Sequence, residues 1–420
     1  MRIWTGPSVS VIPGKGDVPL IHNDITGVKE LSAAGEVAKL YVCGITPYDA
    51  THLGHAATYL AFDLLVRAWR DAGLTVQYAQ CLTDIDEPLL ERARVMGLDW
   101  STIAAGQTNL FRSDMAALRV IPPDFYRGVI ETIPAIVRGV ETLLDRGWAY
   151  RVPVSGAVAG ALGDVYADLS MDPGFGSLTQ LAEHTMDRLF EERGGDPERC
   201  GKRGRLDPLL WRAHRPGEPE WDGRTLGRGR PGWHIECAVI AASELGSRID
   251  VLGGGSDLDF PHHEMSTSHV RGMTREDQPV RLTMHPGMLA YGGQKMSKSL
   301  GNLVFVHEML ARGINPAAIR LALMSRHYRD DWEWTGQELV RAETRLAMWR
   351  EVILSGREQG SSTDTIGLIR QALADDLDTP KAITAIDHWV DTAPTAPQRH
   401  AFAGADLRRA IDALLGVQLY

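Results

Sequence analysis

The sequence predicts an α/β protein: a parallel-sheet domain, an inserted subdomain and a C-terminal helical bundle. Three observations predict it. Between residues 39 and 118, short apolar runs alternate with helical patterns, and strand–helix repeats of that length make parallel sheets with right-handed crossovers. Over 149–224 the periodicity weakens and Gly, Pro and Arg crowd in, as in ERGGDPERCGKRGR. From about 311 the pattern is almost wholly helical, broken only by the breaker-rich stretch 355–363. The expected units are therefore 1–125 with 225–310, an insertion over 126–224, and a bundle over 311–420.

In chain order, residues 1–38 are rich in turn formers and suit an irregular or hairpin lead-in. Leu40-Tyr41-Val42 suits a buried strand ending at Cys43. Gly44, Pro47 and Asp49 mark a turn. His52-Leu53-Gly54-His55 then opens an apolar-periodic helix, which puts the two histidines on one face. Thr75–Leu82 reads as a second strand, closing on Thr83-Asp84-Ile85-Asp86, and helical runs follow through Leu118 and over 128–147. After the insertion, the run from Trp233 to Ala242 is a helix, and 247–252 is a strand closed by Gly253-Gly254-Gly255-Ser256-Asp257. A further strand, 281–289, leads into Gly292-Gly293-Gln294-Lys295-Met296-Ser297-Lys298-Ser299.

Bulk properties narrow the classes. The chain has 420 residues, 44% hydrophobic and 23% charged, which is a globular balance with ample core. Its net charge of −10 is not an electrostatic match for nucleic acid. The four cysteines, Cys43, Cys81, Cys200 and Cys237, are widely spread without a C-x-x-C pair, which favours reduced thiols over a disulfide scaffold. The first residues hold no apolar run of signal-peptide length, and no run reaches the roughly 18 residues of a membrane span. A soluble, cytoplasmic monomer is expected.

Two short strings carry the chemistry, HLGH at 52–55 and KMSKS at 295–299. Each alone has a bland reading: incidental histidines on a plain strand–turn–helix, and an exposed basic loop. Together, each after a strand of a parallel sheet, they suit ATP. Gly54 leaves room for an adenine or ribose against the backbone. His52 and His55 can donate to phosphate oxygens beside the helix N-terminus. Lys295 and Lys298, on a glycine-preceded loop, can clamp the β and γ phosphates and the departing pyrophosphate.

On these residues the chain resembles class I aminoacyl-tRNA synthetases, whose Rossmann-type domain makes aminoacyl adenylates. CGITPYD at 43–49, LTDID at 82–86, RPGWHIEC at 230–237 and GGSDLDFPHHE at 254–264 resemble cysteinyl-tRNA synthetase over about 40–310. A glutamate of that family's pattern, four residues after the first histidine of its HHE block, is Ser266 here, and the C-terminal region is short and not basic. THLGHAATYLAFDL, LFEERGGDPER, FPHHEMS and DDLDTPKA resemble the cysteine ligases of mycothiol biosynthesis over essentially the whole chain.

That resemblance implies one Zn²⁺ held by Cys43, Cys237 and His262. Their spacing alone matches no local zinc pattern. Two thiolates and an imidazole suit zinc, and with Ser266 in place of a carboxylate the fourth position is left for the substrate thiol. A thiolate on zinc outcompetes a serine hydroxyl far better than an apolar pocket would. The resemblance also implies ATP with Mg²⁺, L-cysteine and glucosaminyl-inositol as reactants, with no nucleic acid and no membrane. Thr46, Thr83 and Trp233 would surround the bound cysteine, with Gly44, Ile45 and Leu82 in the adjoining strand ends. Thr58 would face the site from the first helix, and Cys81 would line it through its backbone. Asp257, after Gly255 and Ser256, would meet the ribose hydroxyls, and the Leu289 backbone the adenine edge. Outside the family each threonine reads equally as a cap or strand residue. The expected reaction is cysteinyl-AMP formation, then amide formation with release of AMP. A truncated cysteinyl-tRNA synthetase and a non-catalytic cysteine or zinc sensor are the alternatives.

Overall fold

The computed structural model describes residues 1–154, 161–296, 301–354, 362–392 and 403–420. Its centre is a five-stranded sheet of β1 (Val37–Val42), β2 (Thr75–Leu82), β3 (Phe125–Gly128), β4 (Ile249–Gly253) and β5 (Val280–Met284). The order across the sheet is β5-β4-β1-β2-β3, and every neighbouring pair is parallel. The strands are near-continuous apolar runs because helices cover both faces. The chain leaves β1 toward β2 on one side, while β4 lies on the other. The crevice beyond the C-terminal ends of β1 and β4 is therefore the topological switch point, where open α/β sheets bind ligands. There the Cys43 N–H donates to the Gly253 carbonyl at 2.9 Å.

Helix α1 (Leu53–Asp71) follows β1 and is buried continuously from Tyr59 to Trp69. A helix buried all round needs cover on both sides. The sheet supplies one side. The helices Pro316–Leu323, Gly336–Leu354, Thr363–Ala374 and Thr379–Asp391 join the same core from the other. Helix α2 (Val129–Asp145) follows β3 and buries Val129, Ile133, Ile136, Val137, Val140 and Leu143, one apolar stripe at helical spacing. Helix α3 (Trp233–Leu245) leads into β4, and α4 (Glu264–Thr274) lies between β4 and β5.

Between α2 and α3 stands a second, antiparallel sheet of Ala149–Val152, Asp164–Ala167, Leu209–Ala213 and Gly229–Pro231. An insertion is expected over 126–224; the antiparallel sheet runs from Ala149 to Pro231, and Phe125–Gly128 pairs in the central sheet. A small third sheet joins Leu289–Tyr291 to Gln294–Lys295 and to Trp332–Glu333. Among the described residues no helix is long and apolar enough to cross a membrane.

Candidate active site at the ends of β1 and β4

Cys43 directly follows β1, Cys237 lies on α3, and His262 precedes α4. The fold brings them together: their ligand atoms all lie within 4.8 Å of one another, and all three residues are buried. The two sulfurs are 3.8 Å apart. Burial raises the Cys43 thiol, and the contact with Cys43 together with burial raises Cys237 against the lowering contact of Cys81, so both thiols are protonated at neutral pH without a cation. Burial does the reverse to His262 and holds its imidazole down to about 3. His262 Nδ1 lies 3.0 Å from Nδ1 of buried His234. The Trp233 ring packs against His262, tilted by 30° with centroids 4.4 Å apart. The Ser266 hydroxyl donates to the His234 carbonyl at 3.0 Å.

Cys81, expected to present its backbone, instead brings its sulfur into this group. Cys81 Sγ is 3.4 Å from Cys237 Sγ and accepts the Gly44 N–H at 3.1 Å. The reason is steric: Gly44 passes so close that a Cβ there would lie 1.7 Å from the Cys81 carbonyl oxygen. The backbone is occupied, and the side chain turns to the thiols. Tyr41, which the sequence did not single out, places its buried phenol among the three cysteines, and burial keeps it neutral. Cys200 is exposed and apart.

The side expected to face the phosphates is built on the start of α1. His52 is its N-cap and accepts the His55 N–H at 3.4 Å. The two rings stack 3.8 Å apart. A Cβ on Gly54 would come within 2.9 Å of the His52 ring and 4.0 Å of Leu289 Cβ, so the glycine holds His52 and the Leu289 strand together. The chain after the KMSKS loop is sewn to the same turn: Leu53 N–H donates to Val304 at 2.9 Å, and Val306 N–H to Thr51 at 3.1 Å. Lys295 ends a two-residue strand. Lys298 lies outside the described residues.

The remaining residues fall around the crevice. The Thr83 N–H donates to the Ile45 carbonyl at 3.1 Å, the Asp84 N–H to Leu82 at 2.9 Å, and the Tyr48 N–H to Thr46 at 2.9 Å. Those three bonds fix the turns after β1 and β2. The Thr58 hydroxyl donates within α1 to the Gly54 carbonyl at 3.1 Å. Gly255, Ser256 and Asp257 form the turn after β4, with the Leu258 N–H on the Gly255 carbonyl at 2.9 Å and Asp257 exposed.

Residues 30–344 match the family model described as tRNA synthetases class I (C) catalytic domain. The methionyl-tRNA synthetase of Mycobacterium tuberculosis, solved bound by methionyl-adenylate, has the same fold: TM-score 0.64 at 15% identity, covering 90% of this chain and 92% of that one. Three similar full-length relatives come from Cellulomonas flavigena (54% identical), Sanguibacter keddieii (53%) and Streptomyces griseus (50%), each covered over 100% of both chains. Each is named L-cysteine:1D-myo-inositol 2-amino-2-deoxy-alpha-D-glucopyranoside ligase. Identity at that level over the whole length, on a class I synthetase fold, places this chain among the ATP-dependent ligases of that family.

Proposed function

We propose that this chain activates L-cysteine as cysteinyl-AMP and transfers it to the amine of glucosaminyl-inositol, releasing pyrophosphate and AMP. The observation that carries the reading is the buried set of two thiols and one imidazole at the end of β1, beside a helix start that bears HLGH. Cys43, Cys237 and His262 would hold a Zn²⁺ ion, and the donor set fits: two thiolates balance the dication and the imidazole is already neutral. Bound there, zinc would lower the pKa of the substrate thiol and select it over a hydroxyl. Ser266 supplies no carboxylate, and its hydroxyl is engaged on the His234 carbonyl.

The chain's own groups do the rest by position and charge. Trp233 packs over His262 and closes one wall of the cysteine pocket. Thr46 and Thr83, at the ends of β1 and β2, take the cysteine amino group. His52 and His55 donate to the phosphates of ATP, which arrives with Mg²⁺, while the cysteine carboxylate attacks the α-phosphorus. Lys295 and Lys298 follow the leaving pyrophosphate. Asp257 accepts from the ribose hydroxyls. The neutral acceptor amine then attacks the activated carbonyl, an amide forms and AMP leaves.

Acceptor choice tests this reading. Purified protein with ATP and radiolabelled cysteine is offered tRNA or glucosaminyl-inositol in parallel. Label should pass to the pseudodisaccharide in an ATP-dependent way. Charging of tRNA alone would sink the proposal in favour of a tRNA synthetase, and cysteine binding without pyrophosphate release would favour a sensor.

A further inference from the structure

The sequence ERGGDP at 192–197 belongs to the inserted unit, and nothing in the proposed chemistry uses it. The structure gives Arg193, Gly194, Gly195 and Asp196 each a physical task. Helix Glu183–Glu192 ends at Arg193. Gly194 takes φ of +90°, a left-handed turn that glycine suits. Gly195 passes the Phe190 ring so closely that a Cβ would lie 2.5 Å from it. Asp196 anchors the far side, accepting from the Tyr166 hydroxyl at 2.5 Å and from Lys202 at 3.0 Å. The helix cannot continue, and Arg193 is left aimed outward from its last turn.

Its target is the loop after β4. Arg193 Nη1 donates to the Asp257 carbonyl at 2.5 Å and also to the Phe260 carbonyl. Beneath it Phe190 packs with Phe260, Leu169 and Met265. A guanidinium bridging two main-chain oxygens three residues apart fixes the pitch of that turn. Asp257 stands at one end of the turn, and His262 lies two residues beyond Phe260. A charged donor on two carbonyls is among the stronger hydrogen bonds a loop can receive.

We propose that Arg193 is a positioning residue: through the Asp257 and Phe260 carbonyls, the end of helix Glu183–Glu192 sets the loop that receives the nucleotide ribose. The proposal rests on the reading that Asp257 meets the ribose. Arg193 touches neither substrate nor reacting atoms in this scheme. Its effect is to hold Asp257 at the height the crevice requires.

Calorimetric titration with AMP, on the full chain, tests it without needing turnover. Arg193→Ala should weaken AMP binding about tenfold, the scale of one charged hydrogen bond. Cysteine affinity and melting temperature should stay at wild-type values, and Arg193→Lys should recover most of the loss. Unchanged AMP affinity in Arg193→Ala would overturn the proposal. So would equal losses for AMP and cysteine with a lowered melting temperature, which would mean general damage. Asp257→Asn separates the underlying reading. If that variant binds AMP normally, Asp257 does not meet the ribose, whatever Arg193 does.

Discussion

At the scale of single residues, the site is a problem in protonation. Cys43 is raised by burial, and Cys237 by its contact with Cys43 and by burial, so both carry protons at neutral pH, while burial holds His262 at about 3. Binding a divalent cation must then displace two protons, both from sulfur and none from the imidazole. The apparent zinc affinity should rise about a hundredfold per pH unit below the thiol pKa values. Competition with a chelator of known affinity between pH 6.5 and 8 measures that slope; a tenfold slope would mean that one thiol does not ligate. These three residues were only partly legible in the sequence. Cys43 and Cys237 lie 194 positions apart, and no local spacing links them, so the family resemblance rather than the residues themselves pointed to the set. The placement of the Cys81 sulfur and the Tyr41 phenol has no signal in the sequence, for a common reason. Whether a strand-end residue turns its backbone or its side chain to a crevice depends on its neighbour across the sheet, here Gly44, and that pairing is not written in either segment.

At the scale of elements, the strand expected over 281–289 is two separate strands, Val280–Met284 and Leu289–Tyr291. The strands β1 and β2 were legible because each is a mostly apolar run followed by a clear helix. The strand Phe125–Gly128 was not, since four residues between two helical runs carry no period of their own. The inserted sheet escaped for a similar reason: its strands are only three to five residues long and are separated by Gly- and Pro-rich turns. What the elements must do at the site is come very close. The ends of β1 and β2 meet at Gly44, where any Cβ would overlap the Cys81 carbonyl. Gly44→Ala must therefore pry the strand ends apart, displacing Cys43 from one side and Cys81 from the other. The expected cost is about 2–4 kcal/mol of stability, with bound zinc falling well below one equivalent after purification. Denaturant unfolding and metal analysis check the two effects separately. A stable, fully metallated variant would show that the strand ends can slide, contrary to the packing.

At the scale of the whole molecule, the helical C-terminal region is fastened to the sheet domain through a buried charge cluster on α1. Asp63 accepts from Arg67 at 2.7 Å, from the Ile121 N–H at 2.8 Å and from Arg320 of helix Pro316–Leu323. Arg320 continues to the Leu415 carbonyl at 2.6 Å, and Arg67 to the Asp412 and Ala413 carbonyls at 3.0 Å. Burial pushes the Asp63 carboxyl up, but the Arg320 and Arg67 guanidiniums outweigh it and leave the group lowered. A carboxyl lowered in the folded state contributes stability above its unfolded pKa of about 3.9, and loses it as pH falls through the folded value. Arg320→Met removes one guanidinium and keeps the bulk. Burial then gains on the remaining attraction, Asp63 rises, and the fold should lose about 3 kcal/mol at pH 7. The wild-type advantage should narrow as pH drops toward 3, because the variant's raised carboxyl binds its proton earlier while the wild type gives up its own contribution. Denaturant unfolding of both proteins at pH 7 and pH 3.5 measures the two gaps. An equal gap at both values would mean that Arg320 acts through its hydrogen bonds to the Leu415 and Leu118 carbonyls rather than through the charge on Asp63.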